Sequence, residues 1–319
     1  MNRLQNIDFL KVALSLFVVA AHVFPTHEVE GKKSYVFFAI QGIARITVPI
    51  FLIITGYFIA NKIDNLNYIK KTAKRILIIF LVWQIIYFNI EYNFFKSGHI
   101  TFKRFIVDSI FGYAHLWYLI AVVEALFLLY LIRKFKDSQK FILALILIYC
   151  GYTLQLLYES NFITNTTFRE LYSYMGSSRN FLFYALPYLL VGSTHNFWGN
   201  FVTKTNYLSY IFIALIILES LYYMTTNLSI FNIFIFSFPC SIFIFNSFLK
   251  SKKQININFP STLSLGIYLI HFYILLEVFK KNIPTTYESY YFNYFLIIIF
   301  TLISWFILDK INKKIPYFF

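Results

Sequence analysis

A lysine and a histidine stand eleven positions apart in the first apolar stretch, Lys11 and His22 in IDFLKVALSLFVVAAH. An ionisable side chain within a membrane span marks a functional position by default, because lipid penalises its charge. A neutral imidazole serves as a general base near neutral pH. Eleven residues at about 100° each come to roughly 1100°, about 20° past three turns, so both side chains leave one helix face roughly 16 Å apart. Asp8 and Ser15 fall within about 60° of that stripe, so one face carries the polar groups and looks into a protein interior. Lys11 lies about 6 Å from the near end of the span, where its stem alone can snorkel to the headgroups. For His22 the competing structural reading is a hydrogen bond to a neighbouring helix.

Arg45, in GIARITVPIFLIITGY, falls about ten residues from either edge of its segment. A guanidinium at that depth must be paired or line a hydrated cavity. Pro49 follows at i+4, where its ring displaces a hydrogen bond and frees the Arg45 carbonyl. Glu124, at similar depth in the fourth segment, is the partner expected for Arg45, either as a structural salt bridge or as support for an anion clamp. In LSLGIYLIHFYILLE, Tyr268 and His271 are three apart and share a face, either as site residues or as fillers of an interhelical gap. His115, Trp117 and Tyr118 open the fourth segment in HLWYL, where an aromatic belt is the competing explanation.

These residues need a membrane bundle to position them. The 319-residue chain is 59% hydrophobic and 13% charged, with a mean hydropathy of +0.65, which excludes a soluble globule. The expected fold is all-α, a polytopic transmembrane helical bundle in a single domain over residues 1–319. Ten spans are placed near 7–26, 35–60, 76–95, 115–132, 141–158, 180–198, 206–224, 229–249, 260–279 and 290–308. The segment 96–114 is amphipathic and is expected along the interface or re-entering the bundle. The net charge of +14 reports topology rather than nucleic acid binding. Seventeen of the 28 lysines and arginines, Arg3 among them, fall in segments on the side of the amino terminus, which puts both termini in the cytoplasm. Cys150 and Cys240 are isolated in apolar segments and suggest neither a disulfide nor a metal site. A serine elbow, a Walker loop and a dinucleotide fingerprint are not visible. On physical grounds alone, an exporter or flippase for a polysaccharide or lipid-linked sugar suits buried ionisable residues equally well.

In order along the chain, these pieces resemble the acyltransferase family 3 of membrane proteins. The family opens with LDxLR and an Arg-x10-His arrangement, matched here by Lys11 and His22, with lysine in the arginine's place. A second-helix Arg with VPxFxxxxG follows as Arg45, Val48, Pro49, Phe51 and Gly56, then LWYL at 116–119, RNFLFYALPYLLVG at 179–192 and LGIYLIH at 265–271. The wording is most similar to stand-alone O-acetyltransferases of bacterial surface glycans and to the membrane domain of vancomycin-resistance serine racemases.

The resemblance implies transfer of an acyl group, usually acetyl from cytoplasmic acetyl-CoA, to a hydroxyl of an extracytoplasmic glycan or cell-wall polymer, in the plasma membrane of a bacterium. Acyl-CoA is then a co-substrate and no cofactor is permanently bound. The implied partners are acyl-CoA, the glycan acceptor and the lipid bilayer, with self-association into a homo-oligomer left open. His22 serves as general base, with Arg45 and Glu124 as the other catalytic groups. Lys11, Ser15, Tyr268 and His271 face the donor; His115, Trp117 and Tyr118 face the acceptor. Lysine at position 11 keeps the charge but loses the planar fork.

Overall fold

The computed structural model describes residues 4–174, 178–226, 232–253 and 255–319. Arg3 of the expected charge set and residues 229–231 of the expected eighth span lie outside the described residues. The helices in chain order are α1 (Gln5–Val23), α2 (Tyr35–Ala44), α3 (Thr47–Ile59), α4 (Leu66–Lys96) and α5 (Phe102–Phe111). After these come α6 (Trp117–Leu131), α7 (Asp137–Glu159), α8 (Thr166–Tyr174), α9 (Leu186–Ser193) and α10 (His195–Lys204). The last are α11 (Leu208–Thr225), α12 (Ser237–Lys250), α13 (Leu263–Lys281) and α14 (Tyr287–Asn312). Among the described residues extended pairing is limited to an isolated bridge between Val29 and Lys32.

Among the described residues, eight stretches are long and apolar enough to cross a membrane: α1, Tyr35–Lys62, α4, Ala114–Leu131, α7, α11, α13 and α14. The expected sixth and eighth spans are present as shorter helices, Phe181–Ser193 and α12. The protein is therefore an all-α, multi-pass membrane bundle. Its surface is inverted relative to a soluble protein. On α4, Leu81, Ile85 and Phe88 are exposed along one face, while Gln84, Tyr87 and Glu91 are buried on the other.

Lipid is as apolar as leucine, so helices in a membrane gain from close backbone approach rather than from hiding apolar area. The crossing of α3 and α9 shows this. A Cβ on Gly56 would stand 2.2 Å from the Leu189 carbonyl oxygen, and one on Gly192 would stand 2.1 Å from that of Ile53. The two glycines let the backbones touch, and Ile50, Leu52, Ile53, Leu189, Leu190 and Val191 fill the surroundings without exposure.

Two of the expected spans are broken. The second is not a kinked continuous helix: α2 stops at Ala44, Arg45 caps it, and α3 restarts at Thr47 with Pro49 in its first turn. Proline lacks the amide that would reach the Arg45 carbonyl, and the first turn of a helix has no use for that amide, so the chain re-initiates there. The Thr47 hydroxyl donates to the Ala44 carbonyl at 2.7 Å and covers one orphaned acceptor. The sixth opens with a π-helical turn at Phe181–Ala185, where the Asn180 side chain accepts from the Leu182 and Phe183 amides. It then ends at Ser193, so the expected residues 195–198 belong to the separate helix α10, with Thr194 between the two. In the eighth, α12 starts only at Ser237, and the Glu219 carboxylate on α11 accepts from the Ile235 and Phe236 amides at 2.8 and 3.1 Å.

The expected interfacial segment forms α5, whose Phe102, Ile106 and Ile110 are exposed and whose Asp108 is buried. At 10 residues it is too short to cross. Arg104 holds Asp108 through two contacts, at 2.8 and 2.7 Å. Burial still pushes the Asp108 carboxyl upward from its ordinary range, against the pull of Arg104. Gln84 of α4 accepts from the Tyr113 amide at 3.2 Å and so fixes the turn between α5 and α6. That turn needs Gly112 at φ 105° and places Ala114 at φ 51°, immediately before His115.

Candidate functional site

His22 sits in the last turn of α1, next to carbonyls that have no partner within the helix. Gln41 of α2, 4% exposed, donates its amide to the Ala21 and Phe24 carbonyls at 2.8 and 2.7 Å. One side chain thus ties the end of α1 to α2 and holds His22 in place. The imidazole is exposed, but to the interior: it lines a cavity of about 690 Å³. His22 makes no hydrogen bond to any described residue, which leaves its ring nitrogens free for a ligand.

A wall of rings from α13 and the α5–α6 turn stands against His22. Ring centroids place it 5.3 Å from His271 and 5.3 Å from Phe272, and His271 is 5.1 Å from His115. His271 is fully buried and its Nδ1 meets the Ile267 carbonyl at 3.0 Å. A carbonyl only accepts, so Nδ1 carries the proton and Nε2 holds a lone pair. The Tyr268 hydroxyl donates to the His115 carbonyl and locks the α6 entrance to α13. Tyr87 of α4 donates to the Leu269 carbonyl at 2.9 Å and accepts from the Tyr273 amide at 2.9 Å, the two groups that would close a helical turn around His271. A side chain inserted into the ladder bends a helix there. Nε2 of His271 and both ring nitrogens of His115 are buried without a hydrogen-bond partner among the described residues.

The break at Arg45 turns its guanidinium into the same cavity. Arg45 makes no hydrogen bond or ion pair with described residues; its Nε is buried without a partner and the Phe234 ring centroid is 5.9 Å from Cζ. Arg179, just ahead of the π-helical turn, reaches the cavity from the other side and donates from Nε to Asn232 Oδ1 at 2.7 Å. Burial lowers the affinity of Arg179 for its proton, with Tyr184 acting the other way.

Of the residues expected from the sequence, His22, Arg45, His115, Trp117, Tyr118 and Tyr268 line this one cavity. His271 stands behind His22 rather than in the lining. Lys11 and Ser15 are elsewhere: Lys11 pairs with Asp8 at 2.7 Å, and the Ser15 hydroxyl, with no exposure, returns to the Val12 carbonyl at 2.7 Å. The shared stripe is real, but its two ends do not open into one space. The expected Arg45–Glu124 pair does not form. Glu124 is seven residues past Trp117, two turns and about 10.5 Å along α6, and lines a second cavity of about 800 Å³ with Arg179 and Asn180. Arg179, Asn232, Tyr184 and Gln41 were not singled out from the sequence. Arg179 opens the block at 179–192 that carries the family resemblance. Among the described residues no cluster of three or more His, Cys, Asp or Glu is placed to hold a metal ion.

The sequence model of the acyltransferase domain family matches residues 4–310. The chain is also similar to an amino-acid racemase of Enterococcus faecalis, 24% identical over 343 aligned positions that cover 98% of this chain and 47% of the relative. The chain thus spans about half the length of that relative. No solved structure matches.

Proposed function

The chain belongs to the acyltransferase family whose domain it matches from residue 4 to 310, and on that premise we propose that it moves an acyl group, acetyl from acetyl-CoA, across a bacterial plasma membrane to a hydroxyl of an extracytoplasmic glycan or other envelope acceptor. The observation that carries this reading is the imidazole of His22, facing a cavity beside the guanidinium of Arg45, neither with a polar partner among the described residues. A general base must be free to take a proton, and a charge stabiliser must be free to meet developing charge.

On this reading the acceptor hydroxyl gives its proton to His22 as its oxygen attacks the thioester carbonyl carbon. Arg45 stabilises the negative charge that grows on the carbonyl oxygen. The carbon–sulfur bond then breaks, the coenzyme leaves as a thiolate, and the proton held by His22 returns to that sulfur. His271 is a positioning residue: its proton is committed to Ile267 and its ring packs on His22. His115, Trp117 and Tyr118 shape the acceptor side. For the donor, Lys71, Lys74 and Arg75 line a separate basic recess of about 330 Å³ that also touches Thr262. From Thr262 to Tyr268 on the cavity wall is about 9 Å along α13, so nucleotide phosphates held at the recess leave the pantetheine arm to bring its thioester to His22.

The test is purified protein in lipid nanodiscs with labelled acetyl-CoA. His22→Ala should insert and accumulate normally yet lose about 10²- to 10⁴-fold in acyl transfer, the usual worth of a general base. Transfer at the wild-type rate, with wild-type amounts of protein, overturns the assignment.

A further inference from the structure

The His22 cavity is lined by three arginines and three histidines, and no aspartate or glutamate is among its lining residues. Arg104 is neutralised by its bidentate contact with Asp108. Among the described residues, Arg179 has only the neutral amide oxygen of Asn232, and Arg45 has no polar partner. Two guanidinium charges therefore face one cavity and repel each other across it. Uncompensated charge in a poorly solvated site is costly, and an anionic ligand relieves it.

The proposed reaction supplies only a transient anion, the oxygen of the tetrahedral intermediate, which is absent in the ground state and needs one of the two arginines. The thioester is uncharged, and the phosphates of the donor belong at the basic recess beyond Thr262. A resident anion must then come from the acceptor. Resting on the acyltransferase reading, we propose that Arg179 binds an anionic group, a carboxylate or a phosphate, carried by the acceptor close to the hydroxyl that is acylated. Arg179 suits this task. Its Nε is anchored by Asn232 at 2.7 Å, which aims the terminal nitrogens, and a planar guanidinium meets either oxyanion in a bidentate way. Arg104, Trp117, Arg179 and Asn232 line both this cavity and the neighbouring one of about 800 Å³. The anion site therefore lies at the junction, where the rest of a large acceptor continues into the second space.

The experiment uses the purified full chain with labelled acetyl-CoA and two matched acceptor pairs. N-acetylmuramic acid differs from N-acetylglucosamine by a lactyl carboxylate, and glycerol 3-phosphate differs from glycerol by a phosphate. The anionic member of at least one pair should be acylated with a kcat/KM about tenfold or more higher, the scale of a charge-assisted hydrogen bond. Arg179→Gln should reduce that preference to below about threefold, and Arg179→Lys should retain part of it. A preference in the sugar pair alone assigns a carboxylate, and one in the glycerol pair alone a phosphate. Equal use of both members in both pairs, or a preference untouched by Arg179→Gln, overturns the proposal while His22-dependent release of free coenzyme A keeps the acyltransferase reading standing. If no acetyl-CoA is consumed at all, calorimetric titration with the same pairs still decides the site. Tighter binding of an anionic member that Arg179→Gln abolishes supports it, and indifference to the charge overturns it.

Discussion

At the amino-terminal end of α1, Lys11 meets Asp8 at 2.7 Å and Ser15 returns its hydroxyl to Val12, whereas at the carboxy-terminal end His22 and the neighbouring Arg45 have no polar partner among the described residues and face a cavity. Both ends carry an ionisable side chain where lipid penalises charge. One end satisfies its polar groups within a single helix. The other leaves them unmet and surrounds them with groups from α2, α6, α13 and the turn before α9. Unmet polar groups are costly in a bilayer, so a fold that keeps them has reserved them for something not part of the chain. Under the proposed mechanism the contrast divides α1 into a part that supports and a part that reacts, and substitutions at the two ends should behave accordingly.

The largest effect after loss of His22 itself is expected at Arg45. Arg45→Lys keeps a charge at the helix break but loses the delocalised fork, and removal of one donor to a developing oxyanion typically costs about 10²- to 10³-fold in rate. Acyl transfer should fall within that range while acetyl-CoA binding, measured by equilibrium dialysis, changes little. A fall in binding with an unchanged turnover rate would move Arg45 from the chemistry to the donor.

Gln41 tests whether the reactive end depends on being held. Gln41→Leu keeps the apolar volume but leaves the Ala21 and Phe24 carbonyls without their donor, at about 1–3 kcal/mol for each buried orphan. The end of α1 should shift to find other partners, and transfer should drop roughly tenfold as His22 moves with it. Gln41→Glu separates position from packing, since its carboxylate cannot donate to a carbonyl and should be no better than leucine. Recovery of full activity in either variant would show that α1 holds His22 without help.

Much of this arrangement was legible in the sequence, for reasons that also explain what was not. Periodicity put Lys11, Ser15 and His22 on one face, and hydropathy located the long helices, because both depend on residues close in the chain. Pairing across that face depends on rotamers, so the spacing did not reveal that Asp8 takes Lys11. Hydropathy averaged over a span does not register a break of one or two residues, so Arg45 was placed in mid-helix when it caps α2. Its expected partner followed from depth alone, and Glu124 at the same depth faces another cavity. Arg179 was hidden because a cation ahead of an apolar block looks like a loop charge; only the turn at Asn180 brings it to Arg45. His271, chosen for its spacing from Tyr268, packs against the His22 ring from behind the cavity lining, a layer that spacing along one helix does not resolve.

The smallest effect is expected at Lys11, where this chain departs from the arginine of the family pattern. If the amino-terminal end of α1 only supports, Lys11→Arg should exchange one ion pair with Asp8 for another and change transfer by less than about threefold, since the carboxylate keeps a cationic partner. Lys11→Met should act mainly on the amount of folded protein, because it leaves Asp8, with only 14% of its side chain exposed, without its lysine. The two variants together separate support from donor contact. A support role predicts that the specific activity of whatever Lys11→Met protein folds stays near that of the parent. A donor role predicts a raised KM for acetyl-CoA in Lys11→Met and a lowered one in Lys11→Arg, where the fork needed for bidentate phosphate contact is restored. That second pattern would erase the contrast between the two ends of α1 and make the whole stripe from Lys11 to His22 a path for the donor.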